Sequence, residues 1–181
     1  VRVSAQTPVV TYALIGVCVA LWVGDILTKG VITQYLGFTP IHGLYQPWRI
    51  LTTAFLHVNL MHIAFNMVSL YAVGRALEPA LGRGPYFCLY LLSALGGTLG
   101  VLGWVLIDPS SALTVTVGAS GAIFGLFGAV FVLQRAAGID VRAVAGLLAV
   151  NLLYGFIVSG VSWQAHLGGL LFRRGCTRGG S

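Results

Sequence analysis

Residues 50–74 read ILTTAFLHVNLMHIAFNMVSLYAVG, a stretch without Asp, Glu, Lys or Arg that nevertheless holds His57, His62 and Asn66. A helix needs about 20 mainly apolar residues to cross the hydrocarbon core of a bilayer, and this window supplies them. Strongly polar groups inside such a span are costly, so each one points to function and to a partner. His62 and Asn66 are four apart and share one helix face.

On either side, charged residues divide the chain into further quiet windows. Residues 3–24 give a first span, too long for a signal-peptide core and followed by no small-residue cleavage site, so it is expected to be retained. Residues 30–48 carry Gly30, Gly37, Pro40, Gly43 and Pro47 among Gln34, His42 and Gln46. So many breakers and polar groups describe an interfacial loop ending at Trp48 and Arg49, not a lipid-facing helix. Residues 84–107 form a third span after a short segment with Arg75, Glu78, Pro79 and Arg83, and a fourth begins near Gly118 after a Ser/Thr-rich connection. The window 143–172 is too long for one helix and is broken by Ser159, Gly160, Ser162 and Gln164, giving a fifth span and the start of a sixth near Ala165. The expected fold is all-α: a polytopic membrane protein, one domain over 1–181, built as a compact six-helix transmembrane bundle with a long interfacial first loop. Glycines at 96, 97, 100, 121 and 125 have the spacing that lets membrane helices approach closely.

Composition agrees. Of 181 residues, 57% are hydrophobic and 8% charged, too few charges to cover a soluble domain of this size. The net charge of +6 is not gathered into a patch that would read nucleic acid. With the N-terminus inside, Arg2, Arg75, Arg83, Arg135, Arg142, Arg173, Arg174 and Arg178 fall on the inner side, and only Lys29 and Arg49 on the outer. That distribution obeys the positive-inside rule. Cys18 and Cys88 lie in apolar stretches and Cys176 in the tail, with neither disulfide nor metal spacing.

In this topology the second, fourth and sixth helices all begin at the outer surface, and His62, Ser120 and His166 lie near those beginnings. A serine hydroxyl becomes a nucleophile when a base takes its proton, and histidine is the usual base. No acid lies near His166: Asp25 and Asp108 sit in outer loops, Glu78 and Asp140 on the inner side. A Ser120–His166 dyad is the economical arrangement. The Ser120 backbone N–H, the His62 ring and the Asn66 amide are candidate donors to a developing oxyanion.

The stretch Gly118-Ala119-Ser120-Gly121-Ala122-Ile123-Phe124-Gly125 resembles the nucleophile motif of the rhomboid family of intramembrane serine proteases. His57-Val58-Asn59-Leu60-Met61-His62-Ile63-Ala64-Phe65-Asn66 is similar to the family's second-helix signature, and Ala165-His166-Leu167-Gly168-Gly169 to the segment with the catalytic histidine. Trp48-Arg49 resembles the end of the first family loop, and Glu78 with Gly82 the acidic motif after the second helix. The resemblance runs over about residues 9–172, all five motifs in order. It implies a Ser120–His166 dyad, an oxyanion site from His62, Asn66 and the Ser120 N–H, an outward-opening cavity, transmembrane protein substrates and no cofactor. The chain departs from the family in Phe124, where tyrosine is common, and in Arg173 and Arg174, which follow His166 by only seven and eight residues. The tail 173–181 looks unlike a membrane segment. Compactness and the lack of targeting segments suggest a bacterial plasma membrane.

Plainer roles stand beside these. His57 is expected to brace its loop, Trp48 to sit as an interfacial aromatic, Arg49 to tie the loop through backbone carbonyls, Glu78 to be structural, and Phe124 to be core unless it touches His166. A transporter or channel would show inverted repeats and midplane polar groups. A non-catalytic relative that binds membrane clients would be expected to lack the serine or the histidine, and both are present. A metal protease would need a pair such as H-E-x-x-H, which is absent from the sequence.

Overall fold

A computed structural model describes residues 7–157 together with Gln164 and Gly169. Among the described residues the long helices are α1 (Val9–Leu27), α5 (Leu60–Leu81), α6 (Arg83–Trp104), α7 (Ser120–Ala136) and α8 (Arg142–Ile157). Three of them, α1, α5 and α6, are long and apolar enough to cross a membrane, and α7 is a shorter apolar helix. Of the expected sixth span only Gly169 is among the described residues. Between α1 and α5 the chain forms three short helices, α2 (Val31–Leu36), α3 (Pro40–Gly43) and α4 (Arg49–Thr52), followed by a 3-10 turn at Thr53–Phe55.

The second helix is displaced from its expected window of 50–74. Thr52 Oγ1 donates to the Leu36 carbonyl at 2.7 Å, Thr53 Oγ1 donates to the Thr116 carbonyl, and the Thr53 carbonyl accepts from Gly118 N–H at 3.0 Å. These bonds commit the threonines to neighbouring segments, and the chain turns extended at Leu56 instead of continuing as helix. The helix restarts at Asn59, whose side chain accepts from the His62 backbone N–H at 2.8 Å as an N-cap. At the other end α5 runs on through Arg75, Glu78 and Pro79, so that the expected connection shrinks to Gly82, with φ at 86°.

Glu78 explains why that end is helical. It is 2% exposed and its carboxylate accepts from the Val10 N–H at 2.9 Å, the Thr11 N–H at 2.8 Å and the Thr11 hydroxyl at 2.8 Å. The first turn of α1 lacks intrahelical partners for its N–H groups, and an anion there is favoured. Gly74 allows the approach: a Cβ on it would overlap Thr11 Oγ1 and lie 2.8 Å from the Tyr86 hydroxyl.

Helix α7 occupies the centre. Gly121 to Gly128 are buried without a break, so every face of these two turns meets protein. Ala122, Leu126 and Phe127 pack in one cluster with Leu70, Val73, Tyr86 and Tyr90. A Cβ on Gly125 would overlap Ser93 of α6.

Replacing Glu78 by Ala should destabilise the protein by about 3 kcal/mol, since hydrogen bonds to a charged group are worth about 1.5–3 kcal/mol and two buried N–H groups lose their acceptor. Thermal unfolding in detergent measures it; an unchanged transition would show that the carboxylate does not hold α1.

Candidate active site

The backbone that presents Ser120 is fixed before the helix begins. Phe38 and Thr116 form an isolated antiparallel bridge, with Phe38 N–H donating at 3.2 Å and Thr116 N–H at 2.7 Å. Together with the bonds from Thr53, this bridge anchors residues 116–118 to the first connection. That connection is itself held by Arg49, 7% exposed, which donates through Nη1 to the carbonyls of Gln34 (2.8 Å) and Gly37 (2.6 Å) and through Nε to the Gln46 side chain. Trp48 is half exposed. Thr53 and Phe38 were not singled out as site residues in the sequence. Phe38 acts through backbone pairing and Thr53 through its carbonyl and its hydroxyl, both in irregular chain, which leaves no periodic signal.

Gly118 has φ at 132°, a region L side chains rarely adopt, and it carries the chain into α7. A Cβ there would lie 2.8 Å from His62 Nε2, 2.9 Å from His62 Cε1 and 3.5 Å from Ser120 Oγ. The imidazole edge and the hydroxyl therefore border one methyl-sized position. Ser120 is the first residue of α7 and is half-buried, and Ala119 before it provides no side-chain cap. The N–H groups of the first helical turn have no intrahelical acceptor, so the serine sits among uncapped donors.

His62 is 5% exposed in the first turn of α5, and Asn66, 7% exposed, follows one turn later. Asn66 Nδ2 donates to the His62 carbonyl at 3.0 Å, which commits one amide hydrogen and leaves the second. His57, 2% exposed, stands edge-on to His62 with ring centroids 5.0 Å apart. Neither imidazole makes a hydrogen bond among the described residues. Burial first, and then the neighbouring His62, hold His57 down at about 3, so it is neutral at ordinary pH. Phe124 is buried one turn beyond Ser120. His166 lies outside the described residues. Among the described residues no group of three or more His, Cys, Asp or Glu side chains could hold a metal ion.

Fold and site together define an integral membrane protein whose separate helices bring a serine, an imidazole and a carboxamide to one end of the bundle. Comparison with known proteins specifies the family. The Rhomboid domain matches residues 44–174, and the chain belongs to the rhomboid family. It is 34% identical over 132 residues to rhomboid protease GluP of Bacillus subtilis (strain 168), covering 68% of this chain and 24% of that protein. It is 38% identical over 128 residues to the putative rhomboid protease YdcA of the same organism, covering 68% of this chain and 62% of that one. With rhomboid protease AarA of Providencia stuartii it shares 29% over 148 residues, covering 68% and 52%. The chain thus spans between a quarter and two thirds of the length of these relatives.

Two substitutions probe this end of the bundle. Gly118→Ala forces a side chain into a disfavoured φ and against the His62 ring, and should cost about 1–3 kcal/mol. Gly103→Ala, in an open helical position, should cost nothing or stabilise by up to about 1 kcal/mol. Equal melting temperatures for the two variants would mean that Gly118 is not constrained.

The buried neutral His57 also predicts a pH dependence. Unfolded histidine takes up a proton near pH 6.5 and folded His57 only near 3, so the unfolded state binds more protons between these values and stability falls as pH drops. The loss from His57 should be about 1 kcal/mol between pH 7 and 5.5. His57→Phe should remove that part of the slope in thermal melts; an identical slope would place the titration elsewhere.

Proposed function

We propose that the protein is an intramembrane serine endopeptidase that hydrolyses peptide bonds in or near the transmembrane helices of membrane-protein substrates. The observation that carries the dyad is the position of Gly169. A Cβ on Gly169 would collide with the Gly121 carbonyl, and a Cβ on Gly125 would come within 3.1 Å of the Gly169 carbonyl. Residue 169 therefore lies against α7 immediately after Ser120. His166 precedes Gly169 by only three residues in the sequence, and that closeness in the chain is what supports pairing it with Ser120.

In the proposed mechanism Ser120 Oγ attacks the substrate carbonyl carbon while His166 takes the hydroxyl proton. The tetrahedral oxyanion accepts from the Ser120 N–H, the His62 ring and the free hydrogen of the Asn66 amide. As the peptide C–N bond breaks, His166 returns the proton to the leaving amine. Water then attacks the acyl-enzyme with His166 again as base, releasing the acid and restoring Ser120. No cofactor takes part. His57 braces the His62 ring, Gly118 makes room for it, Phe124 packs in the core one turn beyond the serine, and Trp48 and Arg49 position the interfacial first loop. Residues 1–181 act as one rhomboid-like domain. The membrane is proposed to be a bacterial plasma membrane, and the arginine distribution supports an orientation with both termini cytoplasmic and the site opening to the outer face.

Incubation of the purified protein with a transmembrane substrate tests the assignment. Ser120→Ala and His166→Ala should each abolish cleavage, with the double variant no worse, because residues that act as a unit are not additive. Asn66→Ala should lower turnover by about 100-fold or more with little effect on binding. A serine-directed fluorophosphonate should label the wild type and not Ser120→Ala. Substantial turnover by Ser120→Ala in a clean preparation would remove the nucleophile assignment.

A further inference from the structure

Away from the site, α1 and the start of α6 enclose a cleft of about 600 Å³ on the side of the bundle. Its walls are apolar, formed by Val10, Leu14 and Val17 of α1 and Phe87 of α6, with Phe55 also lining it. Arg83, the first residue of α6, lines the same cleft; it is exposed and makes no ion pair or hydrogen bond among the described residues. From Val9 to Val17 the cleft follows about 12 Å of helix, close to the depth of one hydrocarbon leaflet. Arg83 lies where α1 and α6 begin and α5 ends, which is headgroup depth for helices that span the membrane.

We propose that this cleft is a binding site for an anionic glycerophospholipid, one acyl chain lying between α1 and α6 and the headgroup phosphate on Arg83. The walls match an alkyl chain, which needs no hydrogen-bond partner. The guanidinium matches a phosphate, to which it can donate two parallel bonds. Basic positions between membrane helices favour anionic headgroups in this way. A transmembrane helix could lie along the same walls, but it carries no phosphate to meet the Arg83 guanidinium. The inference rests on the membrane-spanning fold and not on proteolysis, so it can fail or succeed independently of the catalytic assignment.

The test is native mass spectrometry of the purified protein in detergent, titrated with phosphatidylglycerol or with phosphatidylcholine of the same chains. Wild type should retain phosphatidylglycerol about five-fold better, as one arginine near a headgroup contributes about that factor. Arg83→Gln should abolish this preference, whereas Arg75→Gln, which removes the same charge from α5, should keep it. Gly84 lines the cleft and a Cβ on it meets nothing within 4 Å, so Gly84→Trp should fill the space and reduce retention of both lipids. Should Gly84→Trp fail to fold, judged by circular dichroism, the comparison of Arg83→Gln with Arg75→Gln decides the matter. Equal lipid preference in wild type and Arg83→Gln, or equal loss in both arginine variants, would overturn the proposal. So would a dimer that Gly84→Trp dissociates without any change in lipid retention, which would give the cleft to a second copy of the chain.

Discussion

The carboxylate of Glu78 is the tie on which the register of the bundle depends. It joins the start of α1 to the last turns of α5 through three hydrogen bonds from residues 67 or 68 positions away. In water such a bond competes with solvent, whereas here the group is buried and its loss leaves backbone donors without an acceptor. Because α5 is one continuous helix, fixing it at Glu78 also fixes it at His62, sixteen residues or about 24 Å along the same rod. The imidazole beside Gly118 is thus held in place partly by an interaction at the opposite end of the bundle.

Much of this was legible in the sequence because lipid imposes a simple rule. Backbone groups in the hydrocarbon region must be satisfied within the segment, so spans appear as long apolar windows, and those windows hold most of α1, α6, α7 and α8, each of which overruns its window by one to three residues. The rule says less about where a helix starts. Residues 50–59 are as free of charge as residues 60–74 of the helix that follows, and hydrogen bonds that tie Thr52 and Thr53 to other segments divert them. Charge misled in the opposite direction near Arg75 and Glu78. A buried glutamate looks like a loop residue until Val10 and Thr11 are known to face it.

The polar residues of the site stood out as exceptions in apolar surroundings, and the structure brings Ser120 and His62 to two sides of Gly118. What the sequence could not display is the frame that aligns them. The Phe38–Thr116 bridge and the Thr53 bonds join two irregular connections mostly by backbone pairing, which carries no residue signature, with the Thr53 hydroxyl as the one side-chain donor. His57 and Asn59 are intermediate cases, one a buried ring against His62 and the other the cap that starts its helix.

The one-residue connection at Gly82 limits how the bundle can open. Two Cα steps of 3.8 Å bound the distance between Leu81 and Arg83 to less than about 8 Å, so α5 and α6 cannot part at that end. Any separation between them must be a wedge hinged at Gly82, widest where α5 begins and α6 ends. The beginning of α5 carries His62, so a splaying motion would be amplified at the candidate site and damped at Glu78.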